Sequence, residues 1–508
     1  MADTALNTEK IVLKRDAISR EALNLVPETI ARTYNVIPLE IKGNALKIAM
    51  ANITDIHALE AVESRTKMRI ETVAATPDDV LAAIDFHYQT SYGELEKHLS
   101  LLTSSNGETT IEELAPDTTV DAPIAKALTL IIDEAIKARA SDIHIQPEED
   151  SLRIRYRIDG TLHERHILPL QIAVPLISRI KILAKMNIAD HHRPQDGQLS
   201  VKPKDRPAID IRVGTIPIVH GEMAALRLLD KSKAIMKLPQ LGFLRQSYER
   251  FEEMLKVPYG MILVTGPTGA GKTTTLYASL NNLDRTGRNI LTIEDPVEYR
   301  FKNINQIQVN PRAGLTFASG LRSILRLDPD VILVGEIRDA ETANIAVQSA
   351  LTGHLVLSSI HANDAVGVIS RLLDLDIEPF LIASALIGVV AQRMGRRVCP
   401  NCSEMVEAPV IEQHAYTKET GEVKTHFLTG KGCKSCTNTG YQGRIGFFEI
   451  MNISDRIRSM ILEGANADQI RRSAIQEGMV PLIKDGMMKV KHNITTPGEV
   501  LRNAYVSD

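Results

Sequence analysis

The pattern of apolar and polar positions changes along the chain. Beyond residue 238, strand-length apolar blocks at 261–265, 289–293, 331–334 and 355–359 alternate with stretches of helical period. Blocks with few polar breaks suit strands buried on both faces, so this half predicts a mostly parallel α/β sheet. Residues 121–237 read differently. Asp121 and Pro123 open a helix whose Ile124, Leu128, Ile131 and Ala135 share one face. Then Leu152-Arg-Ile-Arg-Tyr-Arg-Ile158 alternates strictly, with Leu152, Ile154, Tyr156 and Ile158 on one side and Arg153, Arg155 and Arg157 on the other. Asp159-Gly160 follows as a hairpin turn, and the stretch reads as α+β.

Residues 1–95 predict a small α/β module. It has a helix over 27–33, a hairpin from 36–40 to 46–50 turning at Lys42-Gly43-Asn44, and a helix started by Thr76-Pro77. Residues 96–120 are rich in Ser, Thr, Asp and Glu without a period, as in a flexible acidic linker. Near the end, Thr496-Pro497-Gly498-Glu499 has the form of a capping box.

Length and charge narrow the function classes. The 508 residues suggest roughly three domains. The net charge of −4 argues against a nucleic-acid backbone as the main partner. Trp is absent and aromatics are 4%, too few for a base-stacking surface or a membrane aromatic belt. The N-terminal segment lacks the apolar core of a signal peptide. The longest apolar stretch, 380–391, is shorter than the roughly 20 residues a bilayer requires. Four cysteines in a chain this long are no disulfide scaffold and suit a reducing, cytosolic compartment.

The strongest chemical signal follows the block 261–265. Gly266, Pro267, Thr268, Gly269, Ala270, Gly271, Lys272, Thr273 and Thr274 fit a phosphate loop running into a helix. The glycines let backbone N–H groups turn toward phosphates, Lys272 adds a point charge, and Thr273 offers a hydroxyl to Mg²⁺. Glu294, Asp295 and Glu298 crowd the end of the next strand, where they form either an acidic turn or a group orienting a metal-bound water. The strand at 331–334 ends in Gly335-Glu336, a carboxylate placed to hold an attacking water. His361 follows the strand at 355–359 beside Ser359 and Asn363, suiting a terminal-phosphate sensor, whereas His354 precedes that strand and is equally readable as structural. The cysteines form two C-x-x-C pairs, Cys399/Cys402 and Cys433/Cys436, which favour a structural Zn²⁺ site over two redox pairs or unlinked thiols.

In this order the motifs resemble the ATPases of type II secretion and type IV pilus assembly. The likeness spans nearly the whole chain and is strongest over 260–365 and around the cysteines through Arg444-Ile-Gly-Phe-Phe-Glu449. Zinc-type cysteines separate this assembly branch from the related retraction ATPases. The resemblance implies a RecA-like P-loop ATPase domain over 238–508 with a zinc-binding insertion at 395–450. Ahead of it stand an α+β PAS-like domain over 121–237 and an N-terminal adaptor domain. Ala140-Ser141-Asp142-Ile-His144, Gln195-Asp196-Gly197, Asp210-Ile-Arg212-Val213 and Leu226-Arg227 match the family's second domain, which lends arginines to the nucleotide site. Arg212 and Arg227 are therefore the expected arginines, a solvated face being the alternative. Gln198 and Met223 stand where the family often has a basic residue. Many relatives begin with a Leu- and Gly-patterned segment that binds cyclic di-GMP; residues 1–30 do not show it clearly, and that ligand is not assigned.

The implied reaction is Mg²⁺-dependent ATP hydrolysis. In it Lys272 and the loop hold the phosphates, Glu336 orients water, Glu294 and Asp295 assist, and Arg212 and Arg227 stabilise the moving charge. The implied setting is a homo-oligomeric ring, a hexamer, at the cytoplasmic face of the membrane. A polytopic platform protein and a cytoplasmic adaptor would be its partners there. The rival readings are a nucleic-acid translocase and a nucleotide-sensing scaffold that does not hydrolyse.

Overall fold

The computed structural model describes residues 18–43, 45–53, 55–87, 121–202, 208–229 and 236–504. The acidic segment 96–120 expected as a linker, and Asn44 of the first turn, lie outside them.

The first unit is a three-stranded sheet. Strands β1 (Val36–Lys42) and β2 (Ala45–Met50) pair antiparallel, and β3 (Arg69–Ala74) adds parallel to β2. Helices Glu28–Tyr34, Ile56–Thr66 and Pro77–His87 cover it. Thr76 caps the last of these by accepting from Asp79 N at 3.1 Å, with Pro77 in the first turn where a missing N–H costs nothing.

The second unit is a six-stranded antiparallel sheet in the order β6-β5-β4-β9-β8-β7. Its strands are β4 (Ala140–Pro147), β5 (Ser151–Ile158), β6 (Thr161–Pro169), β7 (Gln195–Val201), β8 (Ile209–Ile218) and β9 (Gly221–Leu229). The alternation in β5 is realised: Leu152, Ile154, Tyr156 and Ile158 are buried under helices Asp121–Lys137 and Ala173–Leu183. The three arginines take the opposite face. The helix begins at Asp121 itself rather than after it, a boundary shift of the size common at helix ends.

The third unit carries a seven-stranded sheet, β12-β11-β13-β14-β10-β15-β18. The strands are β10 (Gly260–Thr265), β11 (Ile290–Glu294), β12 (Asn305–Gln308), β13 (Val331–Val334), β14 (Leu355–Ile360) and β15 (Leu386–Val398). After β16 (Ser403–Glu407) and β17 (His426–Gly430), which form their own hairpin sheet, β18 (Tyr441–Asn452) returns to the edge. All pairings from β12 to β15 are parallel; β15 and β18 are antiparallel. β10 and β14 are buried along their whole length because apolar cores fill both faces. The apolar stretch 380–391 divides between a short helix, Pro379–Ala385, and the start of β15. Among the described residues no helix is long and apolar enough to cross a membrane.

The C-terminal capping box forms only in part. Thr496 accepts from Glu499 N at 3.2 Å, but the Glu499 carboxylate does not return to the cap. It is buried against Arg396 Nε and Asn503 Nδ2 instead, since a charged partner from β15 outcompetes a neutral amide.

Candidate functional site

The carboxyl ends of β10, β13, β14 and β15 lie on one side of the sheet, where a parallel sheet presents its ligand. Gly266 leaves β10 at φ +146°, and a Cβ there would stand 2.4 Å from the Gln392 carbonyl. Gly271, at φ +88°, would press its Cβ to within 2.9 Å of Gln392 Nε2. Only glycine lets the loop turn this close to β15. Helix Lys272–Asn282 then begins, with Thr273 and Thr274 exposed in its first turn. Gln392 fixes the helix by accepting from Thr275 Oγ1 at 2.6 Å.

Lys272 Nζ folds over the loop and donates to the carbonyls of Gly266 at 2.7 Å and Pro267 at 3.3 Å. Burial lowers its pKa below the ordinary lysine value, against the upward pull of Glu336 and with a downward push from Arg393. Glu336, whose side chain is 16% exposed, stands past the end of β13 and meets Arg338 Nη2 at 2.5 Å and His361 Nε2 at 3.6 Å. Serines stitch the adjoining backbones together: Ser358 Oγ donates to Val334 O and Ser359 Oγ to Gly335 O, both at 2.7 Å. Thr265 likewise binds both backbone groups of Ala362, tying β10 to the histidine loop. The structure thus brings Lys272, Glu336 and His361 together, as expected from their order in sequence.

The acidic box is arranged otherwise. Glu294 is 4% exposed, and its oxygens accept from Tyr277 OH, from Thr292 Oγ1 at 2.7 Å and from Gln306 Nε2 at 3.1 Å. Among the described residues no hydrogen bond or ion pair joins it to Lys272 or Glu336. Asp295 is exposed beside it. The cause is Tyr277, which projects from the phosphate-loop helix onto the end of β11 and also accepts from Glu298 N at 3.2 Å. Burial raises the tyrosine's pKa, and the adjacent Glu294 charge and hydrogen bond raise it further, so the phenol stays protonated and donating.

Arg212 and Arg227 are cross-strand partners on the outer face of β8 and β9. Arg212 pairs with Glu298 at 3.1 Å and Arg227 with Asp142 at 3.0 Å. They line a cavity of about 1320 Å³ together with Asp142, Asp196, Glu298 and Arg300; no residue of 266–274 borders it. His354 sits at the start of β14 with Nδ1 2.9 Å from Ser349 O, a local bond away from the loop. Tyr277, Arg338, Gln392 and Arg393 were not singled out in the sequence. Gln392-Arg393 did carry a signal, being a polar pair that interrupts the apolar run of β15.

The four cysteine sulfurs lie within 4.8 Å of one another. Closest separations are 3.9 Å for Cys399–Cys433, 3.8 Å for Cys402–Cys436 and 3.7 Å for Cys433–Cys436. A tetrahedral ion with Zn–S bonds of about 2.3 Å would set thiolates about 3.8 Å apart, so the donor set fits Zn²⁺. Burial pushes the Cys402 thiol up to about 12 and raises Cys399. At Cys436 burial also raises the thiol, but hydrogen bonds from the backbone of Cys433 and Gly440 and from the Cys433 and Cys402 thiols together outweigh it and take it to about 7.

A phosphate loop on the middle of a parallel sheet, faced by a strand-end carboxylate and histidine, defines a P-loop ATPase of RecA type. A family model described as type II/IV secretion system protein matches residues 117–502, and an MshEN domain model matches residues 6–93. The chain belongs to the type II/IV secretion system protein family and is an ATP-hydrolysing motor ATPase that uses Mg²⁺. It is 40% identical over 502 residues to the type IV pilus assembly ATPase PilB of Myxococcus xanthus, covering 97% of this chain and 88% of that one. It is 41% identical over 485 residues to the type II secretion system ATPase E of Vibrio cholerae, covering 96% and 90%. Among solved structures, the pilus retraction motor PilT with bound ADP aligns at 26% identity with a TM-score of 0.50, covering 74% of this chain and 96% of that one. The ATPase DotB of Legionella pneumophila, at 20% identity and a TM-score of 0.55, covers 73% and 94% and shares the fold. The MshEN match reaches into the segment where no Leu and Gly pattern was evident; its first residues, 6–17, lie outside the described ones. These relatives do not favour a nucleic-acid translocase or a non-hydrolysing scaffold.

Proposed function

We propose that this chain is the motor for building a pilus or pseudopilus, hydrolysing ATP in a homo-hexameric ring at the cytoplasmic face of a membrane. Its partners there are a polytopic platform protein and a cytoplasmic adaptor. The observation that carries the reading is the meeting of Lys272, Glu336 and His361 at the phosphate loop, in a chain 40% identical over 97% of its length to a pilus assembly ATPase.

In this reading Lys272 leaves the loop carbonyls for the β- and γ-phosphates, and loop N–H groups complete the cradle. Thr273 would hold Mg²⁺, which would supply positive charge against the phosphates. Glu336 accepts the proton side of the attacking water and His361 reports on the terminal phosphate. Glu294 acts one step removed: it holds Tyr277, and through it the helix that begins at Lys272. Arg212 and Arg227 reach the phosphates only when the second unit closes on the third. Cys399, Cys402, Cys433 and Cys436 hold a structural Zn²⁺, closed to substrate.

The test is steady-state hydrolysis by the full chain with Mg²⁺, with and without DNA. Turnover that requires Mg²⁺ and ignores DNA supports the motor; turnover that depends on DNA points to a translocase.

A further inference from the structure

We propose that Arg393 is a second cation for the terminal phosphate, beside Lys272 and supplied by the same chain. The inference deepens the ATPase reading and rests on it.

β15 runs parallel to β10 with Ala391 opposite Thr265 and continues to Val398, so Arg393 lies within β15 two residues past the rung at which β10 ends, beside the phosphate loop. A Cβ on Gly266 would stand 3.4 Å from Arg393 Nη1, which fixes the guanidinium against the first residue of the loop. Its Nη2 donates to Asn363 O at 2.5 Å and its Nη1 to Gln392 O at 3.2 Å. Asn363 belongs to the loop that carries His361. The group therefore bridges the start of the phosphate loop and the histidine loop.

Both of these bonds end on neutral carbonyls and leave N–H donors over. The carboxylates nearby are engaged. Asp364 accepts from Gly367 N and Arg471 Nη2, each at 2.8 Å. Glu449 accepts from Ala365 N at 2.9 Å. Glu336 pairs with Arg338 and lies near His361. Among the described residues neither Lys272 nor Arg393 has an ion-pair partner. Two half-buried cations thus share one loop without an ion-pair partner, and each is held below its ordinary pKa first by burial, opposed only by the charges of Glu336 on Lys272 and of Asp364 and Glu449 on Arg393. Like charges in a partly desolvated site repel, and an anion placed between them removes that penalty. A phosphate at the end of a nucleotide supplies that charge, and a planar guanidinium matches its oxygens.

The experiment uses the full chain and compares Kd for ADP with Kd for a non-hydrolysable ATP analogue, both with Mg²⁺. In Arg393→Gln the analogue is expected to bind roughly 10- to 100-fold more weakly, the range of a charged hydrogen bond, while ADP binds as before. Turnover falls with it. Arg393→Lys, which keeps the charge and loses the fork, is expected to recover part of the analogue's affinity; it also carries the comparison should the glutamine variant not fold. Equal weakening of both nucleotides, or no change in either, overturns the inference and leaves Arg393 a prop for the loop. A parent chain that binds neither nucleotide overturns the ATPase reading itself.

Discussion

Arg212 of β8 donates to Glu298, four residues past the end of β11, at 3.1 Å, with each side chain about 30% exposed. An arginine expected at the phosphates is thus held by the last carboxylate of the acidic box. Removing the arginine and removing its holder should then act differently. Arg212→Ala should cut turnover on the order of 10³-fold with little change in nucleotide affinity, as loss of an arginine finger does. Arg227→Ala should follow it. Glu298→Gln frees Arg212 and should leave kcat at or above the parent's. A glutamine variant as slow as Arg212→Ala would mean that Glu298 itself acts on the reaction.

Glu336→Gln should bind ATP and fail to turn it over, by on the order of 10²-fold or more, because an amide cannot accept the water's proton. Lys272→Ala should lose nucleotide affinity instead. Titration with a labelled nucleotide, alongside phosphate release, separates the two. Hydrolysis by Glu336→Gln at the parent's rate would remove that residue from the assignment.

Protein purified under reducing conditions should carry about one Zn²⁺ per chain, from its four thiolates. Cys399→Ser or Cys436→Ser should lose the metal and expose residues near 395–450 to proteolysis. Metal analysis without zinc would return the cysteines to the redox reading.

Glu449 gives a pH signature. It is buried on β18, and burial raises its pKa above the carboxylate value of 4.5; the Ala365 N–H opposes this and the neighbouring Asp364 charge adds to it. A carboxyl with a raised folded pKa binds its proton more tightly when folded. Stability is therefore lost as pH climbs from about 4.5 through the raised value. Glu449→Gln, which keeps an acceptor for Ala365 N, should raise Tm at pH 7 and lose that advantage near pH 4. Thermal melts at the two pH values check this, and an equal gain at both would rule out titration as the cause.

The phosphate loop was legible because its constraints are local: glycine where φ is positive, an apolar strand before it and a helix after. β5 was legible for the same reason, since a strict period of two dictates which side of a sheet each residue takes. The role of Glu294 was not. Its partners Tyr277 and Gln306 come from a helix and an edge strand, and an acid at a strand end reads the same whether it faces solvent or a buried phenol. Nor was Arg393, because its place beside Gly266 follows from the register of β10 against β15. More than a hundred residues separate those strands, and no local pattern encodes the register. Glu499 shows the same limit: the box motif places its backbone, and Arg396 decides where its side chain goes.

Val398 and Tyr441 are directly opposed across β15 and β18. Everything between them, including the cysteine cluster and the β16–β17 hairpin, leaves the sheet and re-enters it at a single rung of the ladder. A short turn bridges such a gap in an ordinary hairpin. The cysteine-bearing excursion is thus a cassette inserted at one rung of the sheet. The register that sets Gln392 and Arg393 beside the phosphate loop lies on the far side of that rung, between β15 and β10. What goes with it is a set of side contacts, among them the Glu412 carboxylate accepting from Gly498 N at 3.1 Å at the start of the C-terminal helix. Whether the cassette is present therefore bears on how firmly the C-terminal helix is held.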